Sequence, residues 1–325
     1  MPRRLTVADR GPGWSYRPDA RPPSIYGEHQ PGIATPQLDH LAIAAFDSVH
    51  LREWSATAEQ LMRTGDVTVT LGLGPGFFDG ATADRRPVAL HELPPFAGDA
   101  LDPAICGGDG LVMACAQDAA TAAAGLERFE GDVRWCQHGF VDRRRDGAAR
   151  DPLGFRDGID NLRRGRDHDR HVWAGSGDRS WMRGGTYLVV RRIRVDLAAW
   201  SELPEPEQER VIGRYKDSGV ALGARALFDG PPLNGPAIAQ DAHIRAAAPR
   251  TNAGAAMLRR SYSYDAGLMF LAFARDPRRQ YVPVQRRLAS GDALSRFTTH
   301  VGSALFAIPP GARPGGFVGD GLLVG

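Results

Sequence analysis

The sequence is nearly without lysine: Lys216 is the only one in 325 residues, so arginine carries almost all of the positive charge. Arginine suits planar, bidentate contacts to carboxylates, whereas lysine is a compact point charge. The 40 basic and 38 acidic residues leave a net charge of only +2. Because non-specific nucleic-acid binding needs a strongly basic surface, this balance predicts no nucleic-acid partner.

Cysteine and long apolar runs are scarce as well. Cys106, Cys115 and Cys136 are too few and too scattered for a disulfide framework or a zinc ribbon, and we interpret them as small buried hydrophobic residues. No segment approaches the roughly 18–20 apolar residues of a membrane helix, which predicts no membrane span. Neither G-x-S-x-G nor C-x-x-C occurs, so the commonest hydrolase and thiol-redox signatures are absent.

The N-terminus carries a weak targeting signal. Arg3 and Arg4 are typical of a twin-arginine export signal, but the residues that follow, up to Arg21, are polar and rich in glycine and proline rather than apolar. We therefore expect a cytoplasmic protein from the chain as written. The alternative is export by the twin-arginine route, with the leader absent from this chain.

Hydrophobic periodicity predicts alternating strands and helices. Val67–Leu73 alternates valine and leucine with threonine, which indicates a strand. Further apolar runs or strands are predicted at residues 38–46, 187–195, 268–274 and 304–308. Helical spacing or helix-start signals predict helices at residues 51–63, 117–129, 204–215 and 292–300.

This pattern divides the chain into four predicted parts. Residues 1–37 are rich in proline, which predicts an extended N-terminal arm. Residues 38–139 and 183–325 are two sheet-plus-helix halves of similar design. Residues 140–182 form a connector that is rich in charge and glycine and contains the sequence GFRDG. A connection of this length is usually functional or disordered, and its aromatic residues favour an ordered, functional segment.

Two short clusters contain the candidate functional residues. In the first, Gly154-Phe155-Arg156-Asp157-Gly158, one carboxylate lies between glycines that let the backbone approach a ligand closely. A simple turn would also explain an Asp-Gly pair. The second places His243 ahead of Arg259, and by itself such a histidine is more often a core residue than a metal ligand.

Taken together, these clusters give the chain a resemblance to the dye-decolorizing peroxidase family of haem proteins. Six segments in the family's order carry the resemblance over nearly the whole chain. They are YGEHQPGI at 26–33, GFRDG with Asn161 at 154–161, GGTYLVVRR at 184–192, HIR at 243–245, RRSYSY at 259–264 and VGSALF at 301–306.

The resemblance implies an α+β fold of two ferredoxin-like halves, of the dimeric α+β barrel type, enclosing a pocket for one haem b per chain. It implies that His243 is the proximal iron ligand and that Asp157 and Arg259 are the distal catalytic residues. It also implies further cofactor contacts. These are Asp292, as acceptor for the proximal imidazole, Arg245, as a propionate partner, and Gly158 beside the distal carboxylate.

The function that the resemblance implies is a haem-dependent peroxidase that reduces hydrogen peroxide and oxidises dyes or phenolic one-electron donors. The alternative is a haem-handling, deferrochelatase-like protein of an iron-uptake system. A haem-free ferredoxin-like binding module is a third reading, which the joint presence of Asp157, His243 and Arg259 disfavours. The sequence leaves open whether the protein forms a homo-oligomer.

Overall fold

The computed structural model describes residues 22–144, 146–163, 165–265 and 267–322. Arg3, Arg4 and the first part of the predicted arm lie outside these ranges. The described part of the arm packs against the rest of the molecule, because the buried Gln30 amide donates to the carbonyls of Leu71 and Pro309, each at 2.9 Å. None of the helices in the described ranges has the length and apolar character that a membrane crossing needs.

The first half has the order β-α-β-β-α-β. Its elements are β1 (His40–Phe46), α1 (Leu51–Met62), β2 (Val67–Leu73), β3 (Gly110–Ala116), α2 (Ala119–Leu126) and β4 (Val133–Phe140). The connector that follows contains two short paired strands and one helix, β5 (Asp142–Arg143), β6 (Ala149–Arg150) and α3 (Gly165–His171).

The second half repeats the pattern, with three short helices in place of one. Its elements are β7 (Thr186–Val195), α4 (Leu197–Glu202), α5 (Glu205–Ile212), α6 (His243–Ala247), β8 (Leu258–Tyr264), β9 (Gly267–Ala274), α7 (Tyr281–Gly291) and β10 (Thr298–Ile308).

The two halves join into one closed antiparallel barrel of eight strands, in the order β1-β3-β2-β10-β7-β9-β8-β4. They meet at two seams, where Leu73 of β2 pairs with Ala307 of β10 and Phe140 of β4 pairs with Ser263 of β8. This architecture confirms the predicted fold class of two ferredoxin-like α+β halves in a barrel.

The barrel wall separates an interior core from helix-covered outer faces. In β7, Leu188 and Val190 pack inside the barrel, whereas Tyr187 and Val189 lie in a second core on the outer face with residues of α7. Because side chains alternate along a strand, the following odd-numbered positions of β7 lie on the outer face too. That outer face forms one wall of the functional site.

One predicted element is wrong. Residues 292–300 were expected to form a helix, but the structure has only a short 3-10 helix at Ala293–Arg296, and β10 begins at Thr298. The β-branched residues Thr298 and Thr299 pair with Val195 and Arg194 of β7. Tertiary pairing with β7 thus overrides the local helical spacing, and the closing strand starts earlier than the predicted residue 304.

Candidate active site

A cavity of about 410 Å³ lies on the outer face of the second-half sheet, between β7–β10 and the helices α6 and α7. Residues 151–162 of the connector complete its wall. Its volume falls in the range of roughly 300–1,000 Å³ that is usual for small-molecule and cofactor sites. A second cavity of about 550 Å³ contains none of the predicted site residues.

The structure brings His243 and Asp292 together. His243 is the first residue of the short helix α6, and Asp292 follows the end of α7. The backbone N–H of Ala293 donates to the carbonyl of Asp241 at 2.8 Å, which holds the start of α6 against the segment after α7. As a result, Nδ1 of His243 lies 2.6 Å from Oδ2 of Asp292.

This pairing controls the charge and orientation of the imidazole. The side chain of Asp292 is only 4% exposed, and its second oxygen accepts the backbone N–H of Leu294 at 2.9 Å. Burial lowers the pKa of His243, but the negative charge of Asp292 and its hydrogen bond outweigh burial, so the net pKa is raised. Because Asp292 accepts the Nδ1 proton, the lone pair of neutral His243 is left on Nε2.

The GFRDG sequence forms a tight loop that presents Asp157 to the same cavity. Gly154 and Gly158 have φ angles of +88° and +74°, a left-handed conformation that glycine adopts without strain. Phe155 between them is buried and contacts the ring of Trp200 edge-on, at 6.2 Å between centroids. The loop is thereby anchored on one side, while the Asp157 carboxylate accepts the N–H of Gly158 at 2.6 Å and remains accessible from the cavity.

Arg259 reaches the site from β8 and is positioned by the connector. The side chain of Asn161 forms two bonds with the Arg259 backbone: its amide donates to the carbonyl at 2.7 Å, and its oxygen accepts the N–H at 3.0 Å. The guanidinium donates to the carbonyl of Asp160 at 2.7 Å. Asn161, which the resemblance included without a role, therefore joins the loop that carries Asp157 to the strand that carries Arg259.

The pKa of the Asp157 carboxyl is raised, although the positively charged Arg259 acts to lower it. Enclosure by protein raises the pKa of Asp157, and this effect exceeds the opposing effects of the Arg259 charge and the Gly158 N–H. The positive charge of Arg259 does favour the ionised form of Asp157. Its influence is smaller than that of the desolvation of the carboxylate by the surrounding protein, so the net pKa of Asp157 lies above the ordinary value.

Asp151 is a second carboxyl group in the cavity, and the sequence analysis missed it. Its carboxylate accepts the backbone N–H of Phe155 at 3.0 Å. Burial, with a further contribution from the charge of Asp157, raises the pKa of Asp151 to about 7. An Asp-Pro pair ahead of a glycine loop is ordinary turn chemistry, so no sequence signal marks this residue as part of the site.

Arg245 does not reach the cavity, which corrects its predicted role as a propionate partner. Its guanidinium donates to the carbonyls of Leu233, Gly235, Ile238 and Ala239, and so holds the loop that precedes α6. Arg245 does not line the cavity that contains His243 and Asp157. A helical residue two positions after His243 points away from it, which explains why adjacency in sequence was misleading.

The donor set suits haem iron. Within the part of the chain that the structure describes, Nε2 of His243 has no hydrogen-bond partner, and His243 lines the cavity. The same ranges contain no group of three or more His, Cys, Asp or Glu residues able to hold a metal ion. A metal bound at His243 therefore needs its remaining ligands from a non-protein group, as porphyrin nitrogens would supply. Gly158 also lines the cavity, and a β-carbon added to it would meet no atom within 4 Å.

Comparison with known proteins agrees with this geometry. The family models "Dyp-type peroxidase, N-terminal" and "Dyp-type peroxidase, C-terminal" match residues 30–141 and 148–313. The chain is 37% identical to a dye-decolorizing peroxidase from Thermobifida fusca, over 91% of this chain and 84% of that protein. It is 32% identical to a deferrochelatase from Escherichia coli K12, over 94% of this chain and 89% of that protein.

Solved structures show the same similarity. A DyP-type peroxidase from Streptomyces coelicolor superposes with a TM-score of 0.89 at 36% identity, covering 94% of this chain and 97% of that one. Ferric DtpA from Streptomyces lividans also gives 0.89, at 35% identity, covering 99% and 100%. The family, enzyme class and haem cofactor expected from the sequence are thus confirmed. With both family models matched in order and a cavity whose donor set suits haem iron, the chain belongs to the Dyp-type peroxidase family.

Proposed function

We propose that this protein reduces hydrogen peroxide at one haem b per chain and takes the electrons from dyes or phenolic one-electron donors. The observation that carries the proposal is the cavity in which His243, with Nδ1 bonded to Asp292, shares walls with Asp157 and Arg259. Haem, when bound there, supplies the redox chemistry of O–O cleavage. The protein residues supply ligation, proton transfer and charge.

His243 would hold the iron through Nε2, and Asp292 would set the electron density of the imidazole. A histidine ligand whose second nitrogen donates to a carboxylate is oriented by that bond and becomes a more basic ligand. The buried Asp292 oxygen at 2.6 Å provides such a partner.

Asp157 would move the proton. As a carboxylate, Asp157 would accept the proton from one oxygen of hydrogen peroxide and return it to the other oxygen, which would leave as water, while bound haem would supply the two electrons that O–O cleavage needs. Such acid–base assistance is typically worth about 10²–10⁴-fold in rate. The loop glycines hold Asp157 at the cavity wall. The hydrogen-bond donor to its carboxylate is the backbone N–H of Gly158 rather than a competing side chain.

Arg259 would stabilise the departing oxygen. Negative charge develops on that oxygen as the O–O bond breaks, and a guanidinium already held in place stabilises it without rearrangement of solvent. The contacts of Arg259 to Asn161 and Asp160 supply that fixed position.

The test is direct. Purified protein is reconstituted with haem b, the absorption spectrum is recorded for histidine ligation, and peroxide-dependent oxidation of an anthraquinone dye is measured. The proposal expects one haem per chain and turnover that requires both haem and peroxide. No haem uptake, or uptake without peroxide-dependent dye oxidation, would overturn it.

A second candidate function is the release of iron from haem. It rests on the deferrochelatase relatives, which cover most of this chain. Both functions use the same pocket, so the same purified protein separates them. Dye turnover with intact haem supports the peroxidase, whereas iron and free porphyrin recovered from bound haem support the deferrochelatase.

A further inference from the structure

A buried cluster of polar side chains lies behind the cavity wall, outside the residues used so far. Its centre is Arg191 of β7, whose side chain is 1% exposed. Arg191 donates to Nδ1 of His300 at 3.0 Å, to the hydroxyl of Ser303 at 2.9 Å and to the carboxylate of Asp99. Its guanidinium carbon also lies 5.4 Å from the centre of the Phe96 ring.

An irregularity in β10 makes the cluster possible. His300 pairs with Ile193 and Gly302 with Arg192, so Val301 is an extra residue in a β-bulge. Residues three apart in a regular strand point to opposite faces, but the extra residue puts His300 and Ser303 on the same face. The bulge is also held in place, because the carbonyls of His300 and Val301 accept the N–H groups of Ala100 and Asp102 at 2.9 and 2.8 Å.

The contacts of His300 determine where its proton lies. A guanidinium has only donors, so Nδ1 of His300 must be the acceptor, and the ring proton must be on Nε2. Burial, followed by the positive charge of Arg191, lowers the pKa of His300 to about 3, which keeps the ring neutral near pH 7. His300 lines the cavity, and within the described ranges its Nε2–H has no acceptor.

Two histidines that line this cavity are therefore prepared for opposite roles. His243 faces a carboxylate through Nδ1, which leaves a lone pair on Nε2 for a metal. His300 faces a guanidinium through Nδ1, which leaves an N–H on Nε2 and no free lone pair. His300 thus suits a hydrogen-bond acceptor, and the positive charge of Arg191 behind the ring polarises it into a stronger donor.

We propose that His300 is a cofactor-binding residue whose Nε2–H donates a hydrogen bond to a propionate carboxylate of the haem. This rests on the proposed haem site. It assigns to His300 a contact that Arg245 cannot make, because the Arg245 guanidinium is engaged with backbone carbonyls away from the cavity. The cluster of Arg191, Asp99 and Ser303 then serves to fix the tautomer and direction of His300.

The experiment compares haem b with its dimethyl ester, in which the carboxylates are masked, in the wild-type chain and in His300→Phe. The rate of haem loss to excess apomyoglobin is measured for each combination. Because hydrogen bonds to charged groups are among the stronger ones, we expect His300→Phe to lose haem b about 10–100-fold faster than wild type. Esterification of the propionates should increase the rate of haem loss from the wild type by a similar factor, and from His300→Phe by much less.

Two further variants sharpen the comparison. His300→Gln keeps an acceptor for Arg191 and a donor towards the cavity, so it should largely restore haem retention. Thr299→Val, at the neighbouring position paired with Arg194, should leave haem loss unchanged. If His300→Phe does not fold, the propionate contact is tested in the wild type alone. The ¹⁵N chemical shifts of its histidines are then measured in the ferrous carbon monoxide form, which is diamagnetic. The proposal requires that His300 carries its proton on Nε2.

The outcomes separate this inference from the proposed function. A wild-type chain that takes up no haem overturns both. Normal uptake with His243 ligation, combined with an equal ester penalty in wild type and His300→Phe, overturns the propionate contact alone. A proton on Nδ1 of His300 overturns it as well.

Discussion

Nδ1 of His243 lies 2.6 Å from a carboxylate oxygen of Asp292, although the two residues are 49 positions apart in the chain. The carboxylate is nearly inaccessible to solvent, so its charge is little screened by water. In the proposed function, this pair would form the metal-binding side of the cavity, while Asp157 and Arg259 would supply its proton-transfer and charge chemistry.

Substitutions of this pair should have different effects. We expect His243→Ala to lose iron ligation, with a changed haem spectrum. Asp292→Asn should keep the ligand but weaken haem binding by about 10–100-fold and raise the reduction potential, because the imidazole becomes less electron-rich. Spectra, haem titration and potentiometry check this. An unchanged spectrum in His243→Ala would show that the ligand is assigned wrongly.

Asp157→Ala should bind haem normally but react with peroxide about 10²–10⁴-fold more slowly, since the proton shuttle is removed. Stopped-flow absorption after mixing with peroxide measures this rate. Asp151→Asn is the matched comparison, because it changes a carboxyl of the same cavity that lies outside the GFRDG loop. An unaltered rate in Asp157→Ala would show that Arg259 or water, and not Asp157, transfers the proton.

The pH dependence of the peroxide reaction should follow Asp157. Its pKa is raised above the ordinary 3.8, and it works as a base only when ionised, so the rate should fall as the pH drops through that raised pKa. Arg259 lowers this pKa, so Arg259→Met should move the acid limb to higher pH and also lower the plateau. Arg156→Met, which removes a cavity-lining arginine paired with Asp146, is the control. A limb that stays in place or moves to lower pH would contradict the electrostatic coupling.

Asp151 should make the apoprotein less stable as the pH rises. Its pKa is about 7 in the folded chain, against about 3.8 for a free carboxyl, so between these values the folded state binds a proton that the unfolded state has lost. Stability should then fall across this window by up to about 1.4 kcal/mol per pH unit. Asp151→Asn, which keeps an oxygen for the Phe155 N–H, should remove most of this loss, so urea midpoints at pH 5 and pH 8 are compared. The same change at the exposed Asp265 is the control, and an unchanged slope in Asp151→Asn would contradict the assignment.

Arg245→Ala tests the corrected role of this residue. Because it leaves carbonyls of the loop before α6 without their donor, we expect a loss of stability of about 2–4 kcal/mol. Thermal unfolding of Arg245→Ala measures this loss, and Arg250→Ala, at an exposed position, is the control. The propionate bending bands of the bound haem should stay at wild-type frequencies, and a shift in those bands would restore the original prediction.

Local sequence was sufficient where the signal is local. The alternation in Val67–Leu73 predicted β2 with its observed bounds, and helical spacing predicted α1. Gly110–Ala116 was missed, because β3 is a continuous run of small and apolar residues and lacks the alternation with threonine that marks β2. The helix predicted over 292–300 was wrong, since pairing with β7 decides the conformation of its last residues.

By itself, the sequence determined the family and the two-half barrel, because motifs in a set order record chemistry that depends on residue type. It also predicted His243, Asp157, Arg259 and Asp292 as site residues, and the structure places these four residues around one cavity. Only the tertiary structure decided that burial outweighs Arg259 in raising the pKa of Asp157, that Asp151 shares the cavity and that Arg245 does not. It alone decided that a one-residue bulge turns His300 towards Arg191. These properties depend on distances and solvent exclusion between segments far apart in the chain, and no short stretch of residues encodes them.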